Sequence, residues 1–444
     1  MIDQVVLQLS ELLSGLSSDN GVTRLFLMLF PFFLFLELPL NLLVVVGVLR
    51  WYLKKLSKTP IPSHYAPRVS CIITCYSEGP EVLKTLNTLC EQLYPGEIEL
   101  IPVVDGASVN TDTLAAVRSF SPDTFLHPNC QLRPIAKWQR GGRVSSLNAG
   151  LEMATGDIVF ALDGDTSFDN TMIANMVRHF EDPNIPAVSG SLRVRNPWQS
   201  FATAMQALEY FLSIHTSKTG LSEWNTVNNI SGAFGAFRKE FLQHIGGWDT
   251  HTAEDLDLTL RIKSYFGRHH HLRIPFEPQA VGYTDVPATL KGFFMQRLRW
   301  DGDLYFLYVR KHAHSMSPRL LGWPNFLMTL ASGFFFQLVL PFLITGYCLL
   351  GLIMLPPAGL LALAILLYAL YFAVSITLFL IGLLLVSEQP KKDIKMAILL
   401  PVFPVFMFIL RCWGVVCTLN EVFRRGHEES SMAPWWVLKR GRRF

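Results

Sequence analysis

The sequence predicts an α/β domain with a mostly parallel sheet, inserted between transmembrane α-helices. Half of the 444 residues are hydrophobic and the mean hydropathy is +0.31, which is too apolar for an ordinary soluble protein. Between Pro67 and Pro287, short β-rich runs alternate with amphipathic helical stretches, as in a parallel α/β sheet. Lys and Arg gather at the edges of charge-free stretches, which indicates a lipid bilayer and not nucleic acid as a partner.

The first apolar run, residues 25–49, predicts a transmembrane helix that follows an extracytoplasmic N-terminus at 1–24. A hydrocarbon core of about 30 Å requires about 20 apolar residues as a helix. A cleavable signal peptide fits less well, because the first basic residue is Arg24 and no basic segment precedes it. Glu37 is costly at mid-membrane, so it either pairs with Arg411, lines a polymer path or reaches water.

A C-terminal membrane region is predicted over residues 324–420, with two to three spans. Pro324 to Ser387 contains no charged side chain, which leaves room for two helices broken at Pro356-Pro357. A further apolar segment, 396–420, is interrupted by prolines and by Arg411. Whether this segment crosses the membrane or re-enters it stays open.

The distribution of basic residues predicts the orientation of the chain. Four of them follow the first span, and the segment before Arg24 carries only acids, so the N-terminus is expected outside and the domain at 60–287 in the cytoplasm. The same rule places the basic tail at 421–444 inside, whereas three simple crossings after the domain would place it outside. The four basic residues are Arg50, Lys54, Lys55 and Lys58.

Seven cysteines occur without a C-x-x-C pair or a His/Cys cluster. The sequence therefore predicts reduced thiols and no structural zinc.

Three predicted strands carry the first candidate site residues. Val69 to Thr74 is read as a buried strand, Ile98 to Val104 ends at Asp105-Gly106, and Ile158 to Leu162 ends at Asp163-Gly164-Asp165. Open α/β sheets bind ligands at the carboxyl edge of their strands. Two carboxylates one residue apart can hold a divalent cation that bridges to phosphate, although acids in a turn are more often solvated.

Two further segments carry candidate site residues. Glu254 and Asp255 begin a predicted helix through Lys263, so Asp255 is a candidate general base; alternatively both acids favour the positive helix end. Ser231 to Gly235 offers small residues for close approach of a substrate to the backbone, or for tight packing.

The third segment lies at 288–323, predicted to be amphipathic and interfacial, with a helix from Leu290 to Lys311. Gln296, Arg299 and Trp300 place an amide, a guanidinium and an indole within two helical turns. Ligand binding and anchoring at the membrane surface are compatible readings of this segment.

The ordered set Asp105, Asp163-Gly164-Asp165, Glu254-Asp255 and Gln296-x-x-Arg299-Trp300 resembles the processive family 2 glycosyltransferases. These include cellulose, chitin, hyaluronan and poly-N-acetylglucosamine synthases. Size, layout and the stretch 230–238 are most similar to the bacterial poly-β-1,6-N-acetylglucosamine synthase branch. The resemblance implies a cytoplasmic GT-A-type, Rossmann-like glycosyltransferase domain between transmembrane helices.

The resemblance also implies roles for individual residues. Asp105 would contact uracil, Asp163 the nucleotide and Asp165, assisted by Asp163, a Mg²⁺ or Mn²⁺ ion on the diphosphate. Asp255, next to Glu254, would deprotonate the acceptor. The remaining implied binding residues are Glu78, Arg143, Gln296 and Arg299 for the donor and Trp300, Ser231 and Gly232 for the acceptor. Glu78 is equally well read as an exposed turn acid.

Two positions depart from the family pattern. Ala253 stands where Thr is usual, and Arg143 where Lys is common. Because the essential charges are retained, the departures predict a change of rate or substrate and no loss of chemistry.

The activity implied is single-displacement, inverting polymerisation of a UDP-sugar, with UDP-N-acetylglucosamine favoured, into a β-linked exopolysaccharide that crosses the inner membrane. A cellulose-like or hyaluronan-like synthase, a single-sugar transferase to a lipid carrier and a non-catalytic receptor or channel subunit are the alternatives. The partners implied are the UDP-sugar, the growing polysaccharide and the bilayer, with accessory export or regulatory subunits left open.

Overall fold

The computed structural model describes residues 2–15, 33–57, 64–123, 125–249 and 252–426. The predicted extracytoplasmic segment from 16 to 24, the start of the predicted helix at 25–32 and the basic tail from 427 lie outside the described residues. The α/β prediction is confirmed: nine described strands form one sheet in the order β3-β2-β1-β5-β8-β7-β9-β6, with β4 also paired to β2. The strands are β1 (Val69–Cys75), β2 (Ile98–Asp105), β3 (Cys130–Leu132), β4 (Ile135–Lys137), β5 (Ile158–Asp163), β6 (Ser167–Phe168), β7 (Ala187–Val194), β8 (Phe234–Arg238) and β9 (Phe276–Thr284).

The sheet is mixed, although most of its strand pairs are parallel as predicted. Five pairs are parallel and three, β5–β8, β7–β8 and β6–β9, are antiparallel. Strand β1 lies between β2 and β5 in parallel register, so Asp105 and Asp163 end their strands at the same edge of the sheet. The three predicted strands are thereby confirmed and their carboxyl ends meet.

Helices cover both faces of the sheet. Every residue of β1 is buried, because Cys71 and Ile73 face one hydrophobic cluster while Ile72 faces the other. The helices of the domain are α3 (Val82–Cys90), α4 (Thr111–Ser119), α5 (Gly142–Met153), α6 (Met172–Val177), α7 (Phe201–Tyr210), α8 (Ser217–Glu223), α9 (Lys239–His244) and α10 (Glu254–Lys263). A π-helical turn, Phe211–Thr216, joins α7 to α8.

The remaining helices flank the domain. They are α1 (Ile2–Gly15) and α2 (Leu38–Ser57) before it, and α11 (Leu290–Tyr305), α12 (Pro318–Leu321), α13 (Trp323–Met328), α14 (Leu340–Met354), α15 (Pro357–Ile381), α16 (Pro390–Asp393) and α17 (Phe403–Arg424) after it. The π-helical stretch Phe306–Lys311 extends α11, which confirms the predicted helix from Leu290 to Lys311. The predicted break at Pro356-Pro357 is also present.

Four described helical segments are long and apolar enough to cross a membrane: Phe35–Ser57, Trp323–Ile353, Pro357–Val386 and Phe403–Arg424. The first continues as a helix to Ser57, beyond the predicted end at residue 49. The extension is held by the domain, since Arg50 and Lys54 both pair with Glu223. The pairing of Glu37 with Arg411 is confirmed at 3.7 Å between Oε1 and Nη2.

One expectation about the cysteines is wrong. Cys90 at the end of α3 and Cys130 at the start of β3 form a disulfide, with their Cα atoms 5.6 Å apart. The two residues are 40 positions apart in sequence, and only the pairing of β3 with β2 brings them together. The other five cysteines are free thiols.

Candidate active site

Asp105 organises the start of α5. Its Oδ1 accepts hydrogen bonds from Lys137 Nζ at 2.8 Å and from the Gly141 amide at 2.9 Å, and its Oδ2 accepts from the Gly142 amide at 2.9 Å. Gly142 has φ +82°, a backbone conformation that glycine adopts without strain. The carboxylate expected to contact uracil thus also fixes the helix that carries Arg143.

Arg143 connects the two acidic motifs. Its Nη1 bonds Asp163 and donates to Thr74 Oγ1 at 2.8 Å, while its Nε bonds Glu254 and its Nη2 bonds the Gly232 carbonyl. The side chain is only 11% exposed. One guanidinium therefore neutralises a carboxylate at the end of β5 and another at the start of α10.

A cavity of about 160 Å³ opens at this edge of the sheet. Its lining brings together five predicted site residues: Glu78, Asp105, Arg143, Asp163 and Asp165. Tyr76 and Arg140 form one wall, with the guanidinium 4.0 Å from the ring centroid. A stacked cation and ring offer a flat, positively charged surface suited to a base and its phosphates.

Asp165 and Glu78 are two carboxyl groups in the lining of the cavity. Glu78 Oε2 is buried with no hydrogen-bond partner among the described residues, and burial together with the charge of Asp165 raises the pKa of this carboxyl. The described part of the chain contains no group of three acidic, His or Cys side chains able to hold a metal alone. Mg²⁺ and Mn²⁺ fit such a site, because Mg²⁺ typically takes one or two carboxylates and completes its shell with phosphate oxygens and water.

Asp255 is held in a defined orientation next to this cavity. Its Oδ2 accepts from the Gly232 amide and from Asn229 Nδ2, each at 3.1 Å, and its Oδ1 accepts from the Leu256 amide at 2.7 Å. Burial, and secondarily the adjacent Glu254, raises the pKa of Asp255. A raised carboxyl pKa is the property expected of a general base that works near neutral pH.

The small residues at 231–235 have a structural explanation. A Cβ atom on Gly232 would lie 3.0 Å from Glu254 Oε1, so glycine lets the catalytic helix approach this loop. Ser231 precedes it in the turn that leads into β8. The loop therefore positions Asp255 and receives Arg143, and a direct acceptor contact by Ser231 or Gly232 stays a prediction.

Lys218, which contacts the Asn229 residue that binds Asp255, was not predicted from the sequence. Lys218 of α8 is 4% exposed, and its Nζ donates to the Asn229 backbone carbonyl at 2.9 Å. The side-chain amide of the same Asn229 donates to Asp255. Burial lowers the pKa of Lys218 to about 8, against the opposing effect of Asp255. The only feature of the sequence that pointed to this contact is a single lysine in a helix rich in small residues, and that lysine lies 37 positions before Asp255.

The three predicted residues of α11 do not line the 160 Å³ cavity; they lie on a separate helix. Gln296 Oε1 accepts from Gln206 Nε2 at 2.9 Å. Arg299 lies near Asp303. Burial, together with the negative charge of Glu254, raises the pKa of Asp303 to about 7. Donor binding by Gln296 and Arg299 therefore stays a prediction.

Trp300 is oriented by neighbours that the sequence did not reveal. The Arg297 guanidinium lies 4.9 Å from the Trp300 ring centroid and pairs with Glu209 of α7 at 2.6 Å. The indole is half-buried against the domain core. The guanidinium therefore covers one face of the indole, and stacking of a sugar ring on Trp300 stays a prediction.

Comparisons with known proteins relate the chain to glycosyltransferases. Residues 67–302 match the family model described as glycosyltransferase like family 2. The poly-beta-1,6-N-acetyl-D-glucosamine synthase of Staphylococcus aureus (strain COL) is 29% identical over 300 residues, 65% of this chain and 69% of that protein. The synthase of the same name from Staphylococcus epidermidis is 25% identical over 431 residues, 93% of this chain and 98% of that protein.

A solved structure is similar in fold. It is the mannosyltransferase PcManGT from Pyrobaculum calidifontis in complex with GDP-Man and Mn²⁺, with a TM-score of 0.51 and 20% sequence identity. The match covers 87% of this chain and 99% of that chain. The similarity therefore extends beyond the sheet to the flanking helices.

Proposed function

The chain belongs to glycosyltransferase family 2, and from that premise we propose that it is a processive, inverting polysaccharide synthase. The donor is a UDP-sugar, UDP-N-acetylglucosamine first, and the product is a β-linked exopolysaccharide passed across the membrane. The observation that carries the proposal is the bridge made by Arg143, which lines the cavity and pairs with Asp163 in the turn after β5 and with Glu254 at the start of α10.

The relatives support the donor and the product. Both staphylococcal proteins are named for poly-β-1,6-linked N-acetylglucosamine, and one of them aligns along nearly the whole chain. The structural relative was solved with a nucleotide sugar and Mn²⁺. We infer that Asp165, with Asp163 and Glu78 beside it, holds Mg²⁺ or Mn²⁺ on the diphosphate of the donor.

The reaction follows from the positions of the acids. An acceptor hydroxyl attacks the anomeric carbon, the bond to the UDP oxygen breaks, and Asp255 takes the hydroxyl proton. Attack from the face opposite to UDP inverts the anomeric centre, so an α-linked donor gives a β-linked product. A bound divalent cation neutralises charge on the departing diphosphate. Gln296 and Arg299 are assigned to the donor, and Trp300 to stacking under the acceptor sugar.

The membrane helices favour synthesis at the inner membrane, with the domain in the cytoplasm where UDP-sugars are made. Helix α11 lies between the domain and the candidate spans: Trp413 of α17 donates to the Phe294 carbonyl at 3.2 Å, and Phe293 is part of the domain core. An acceptor on Trp300 would consequently stand where the domain meets the membrane helices.

The proposal is tested by giving membrane vesicles that contain the protein a panel of UDP-sugars, with and without Mg²⁺ or Mn²⁺. We expect a polymer from UDP-N-acetylglucosamine only when a divalent cation is present. A polymer made from UDP-glucose alone would indicate a cellulose-like synthase, and two alternating sugars a hyaluronan-like one. Transfer of one sugar to lipid, or no transfer from any donor, would contradict the proposal.

A further inference from the structure

Helix α17 is 22 residues long, about 33 Å, and its length and composition would allow it to cross a bilayer. We propose instead that it enters and leaves the membrane on the side of the catalytic domain. Its outward face is then a lipid-contact surface for the acyl chains of the near leaflet, and the chain after Arg424 emerges on the same side as the domain.

The start of α17 is tied to the catalytic sheet. In the segment before it, Asp393 at the end of α16 accepts two hydrogen bonds from Arg193 of β7, at 2.7 and 2.8 Å, and Gln389 Nε2 donates to the Tyr283 hydroxyl of β9 at 3.1 Å. Within the helix, the Phe406 ring lies 6.1 Å from that of Phe201, the first residue of α7. The N-terminal end therefore lies against the domain.

The other end of α17 also reaches the domain. Glu421 Oε1 accepts from Arg310 at 3.1 Å, and a Cβ on Gly302 would lie 3.6 Å from the Glu421 Cβ. The residue after Arg310, Lys311, pairs with Asp257 of the catalytic helix α10 at 2.7 Å. The C-terminal end of α17 therefore bonds Arg310, whose neighbour in the chain, Lys311, forms an ion pair with the domain.

These contacts are incompatible with a crossing. Phe406 and Glu421 are fifteen residues apart, about 22 Å along a helix, and both contact segments fixed to the domain. A crossing helix would carry one end to the far side of a hydrocarbon core of about 30 Å. Between the two ends Trp413 bonds the Phe294 carbonyl, so α17 runs alongside α11 for most of its length.

One face of α17 is buried against the protein and the other is exposed and apolar, as expected of a helix that lies in a membrane surface. The face toward the protein includes buried Phe403, Gly414, Cys417 and Glu421. The outward face consists of two apolar groups, Val405, Phe408 and Ile409 and then Val416, Leu419 and Phe423, each residue at least 39% exposed. These two groups, followed by Arg424 and Arg425, fit acyl chains with basic residues at the lipid headgroups.

This placement of α17 agrees with both the predicted orientation of the domain and the distribution of basic residues along the chain. Three of the four candidate spans then cross, and the basic tail lies on the same side as Arg50 and Lys54. Pro401 and Pro404 stand where the chain turns into the helix. Arg411 Nη1 donates to the Phe336 carbonyl at 2.8 Å, so its charge is satisfied within the protein.

The side of the C-terminus is tested in sealed vesicles with a membrane-impermeant maleimide. Glu152→Cys marks the domain, Leu355→Cys the turn between two spans and Phe444→Cys the C-terminus, with labelling of the parent chain subtracted. We expect Phe444→Cys to react from the same side as Glu152→Cys and from the opposite side to Leu355→Cys. Reaction together with Leu355→Cys would overturn the proposal.

The lipid contact is tested by spin labels at Val405, Ile409, Val416 and Phe423, all outward-facing, in vesicles of anionic phospholipid. We expect high oxygen accessibility and depths confined to the near leaflet at all four positions. Depths that pass through the bilayer centre to the far leaflet would establish a crossing. Low accessibility to both oxygen and a water-soluble nickel complex would show a protein partner instead of lipid. None of these readouts requires enzymatic turnover.

Discussion

The two acidic motifs that Arg143 connects resemble each other, because in each of them one acid is paired with Arg143 and the other is not. In the turn after β5, Asp163 is paired with Arg143; at the start of α10, Glu254 is paired with the same guanidinium. The neighbouring Asp165 and Asp255 form no ion pair among the described residues. We therefore predict that in each motif the paired acid holds the architecture and the unpaired acid takes part in the chemistry.

The largest effect is expected at the base. Asp255→Asn retains the shape of the side chain and removes proton acceptance, so synthesis should fall by at least about 100-fold while donor binding survives. Product formation and UDP-sugar affinity are measured on the same membranes. Near-normal synthesis would assign the base to another residue.

The second effect concerns the cation. Asp165→Ala should lower turnover by about 10²–10³-fold, the scale of losing one electrostatic contact to the transition state. Asp182→Ala, an exposed acid of the same domain, is the matched control. Activity of the parent protein that is undiminished in chelator would refute the role assigned to the metal.

The division between the acids is tested by Asp163→Asn and Glu254→Gln. Because each leaves Arg143 with one carboxylate, both variants should lose thermal stability as well as activity, whereas Asp165→Ala should lose activity alone. Thermal unfolding in detergent separates the outcomes. If all three variants unfolded at the parent temperature, Arg143 would not be the structural bridge described here.

The pH dependence follows from the raised pKa of Asp255. The base acts only when ionised, so the rate should rise with pH through a value above that of an ordinary aspartate. Asp303, with a pKa raised to about 7, titrates nearby, and Asp303→Asn separates its contribution. An acid limb at an ordinary aspartate pKa in both proteins would contradict the desolvated base.

The smallest effect is expected at Glu209. Glu209→Gln weakens the pair with Arg297, which lies over Trp300, and should shorten the polymer without abolishing the first transfer. Glu209→Asp should restore part of the length. Product length, compared with initial UDP release, distinguishes this positioning role from a general loss of folding.

The strands and acidic motifs could be predicted because they are local. A buried apolar run followed by Asp-Gly-Asp identifies a strand end, and its parallel register with β1 then follows from the fold class. The supporting contacts of Lys137, Lys218 and Glu209 could not be predicted, because these are single charged residues with no neighbouring pattern. Their roles arise from contacts between elements distant in sequence.

The same limit explains the membrane region. Charge-free length identified the spans, yet length could not reveal that both ends of α17 contact the domain. That information resides in pairs such as Arg193 with Asp393, which are 200 positions apart. The disulfide between Cys90 and Cys130 was missed for the same reason.

The central claim is that synthesis and export are coupled at Trp300, and one measurement tests it most directly. Sealed inverted vesicles receive UDP-N-acetylglucosamine and Mg²⁺, and polymer length is then measured with and without an added glycosidase outside. The account predicts a long polymer protected from the enzyme, and no long product from Trp300→Ala even though donor binding persists. Wild-type polymer that is fully degraded, or Trp300→Ala polymer of normal length, would contradict it.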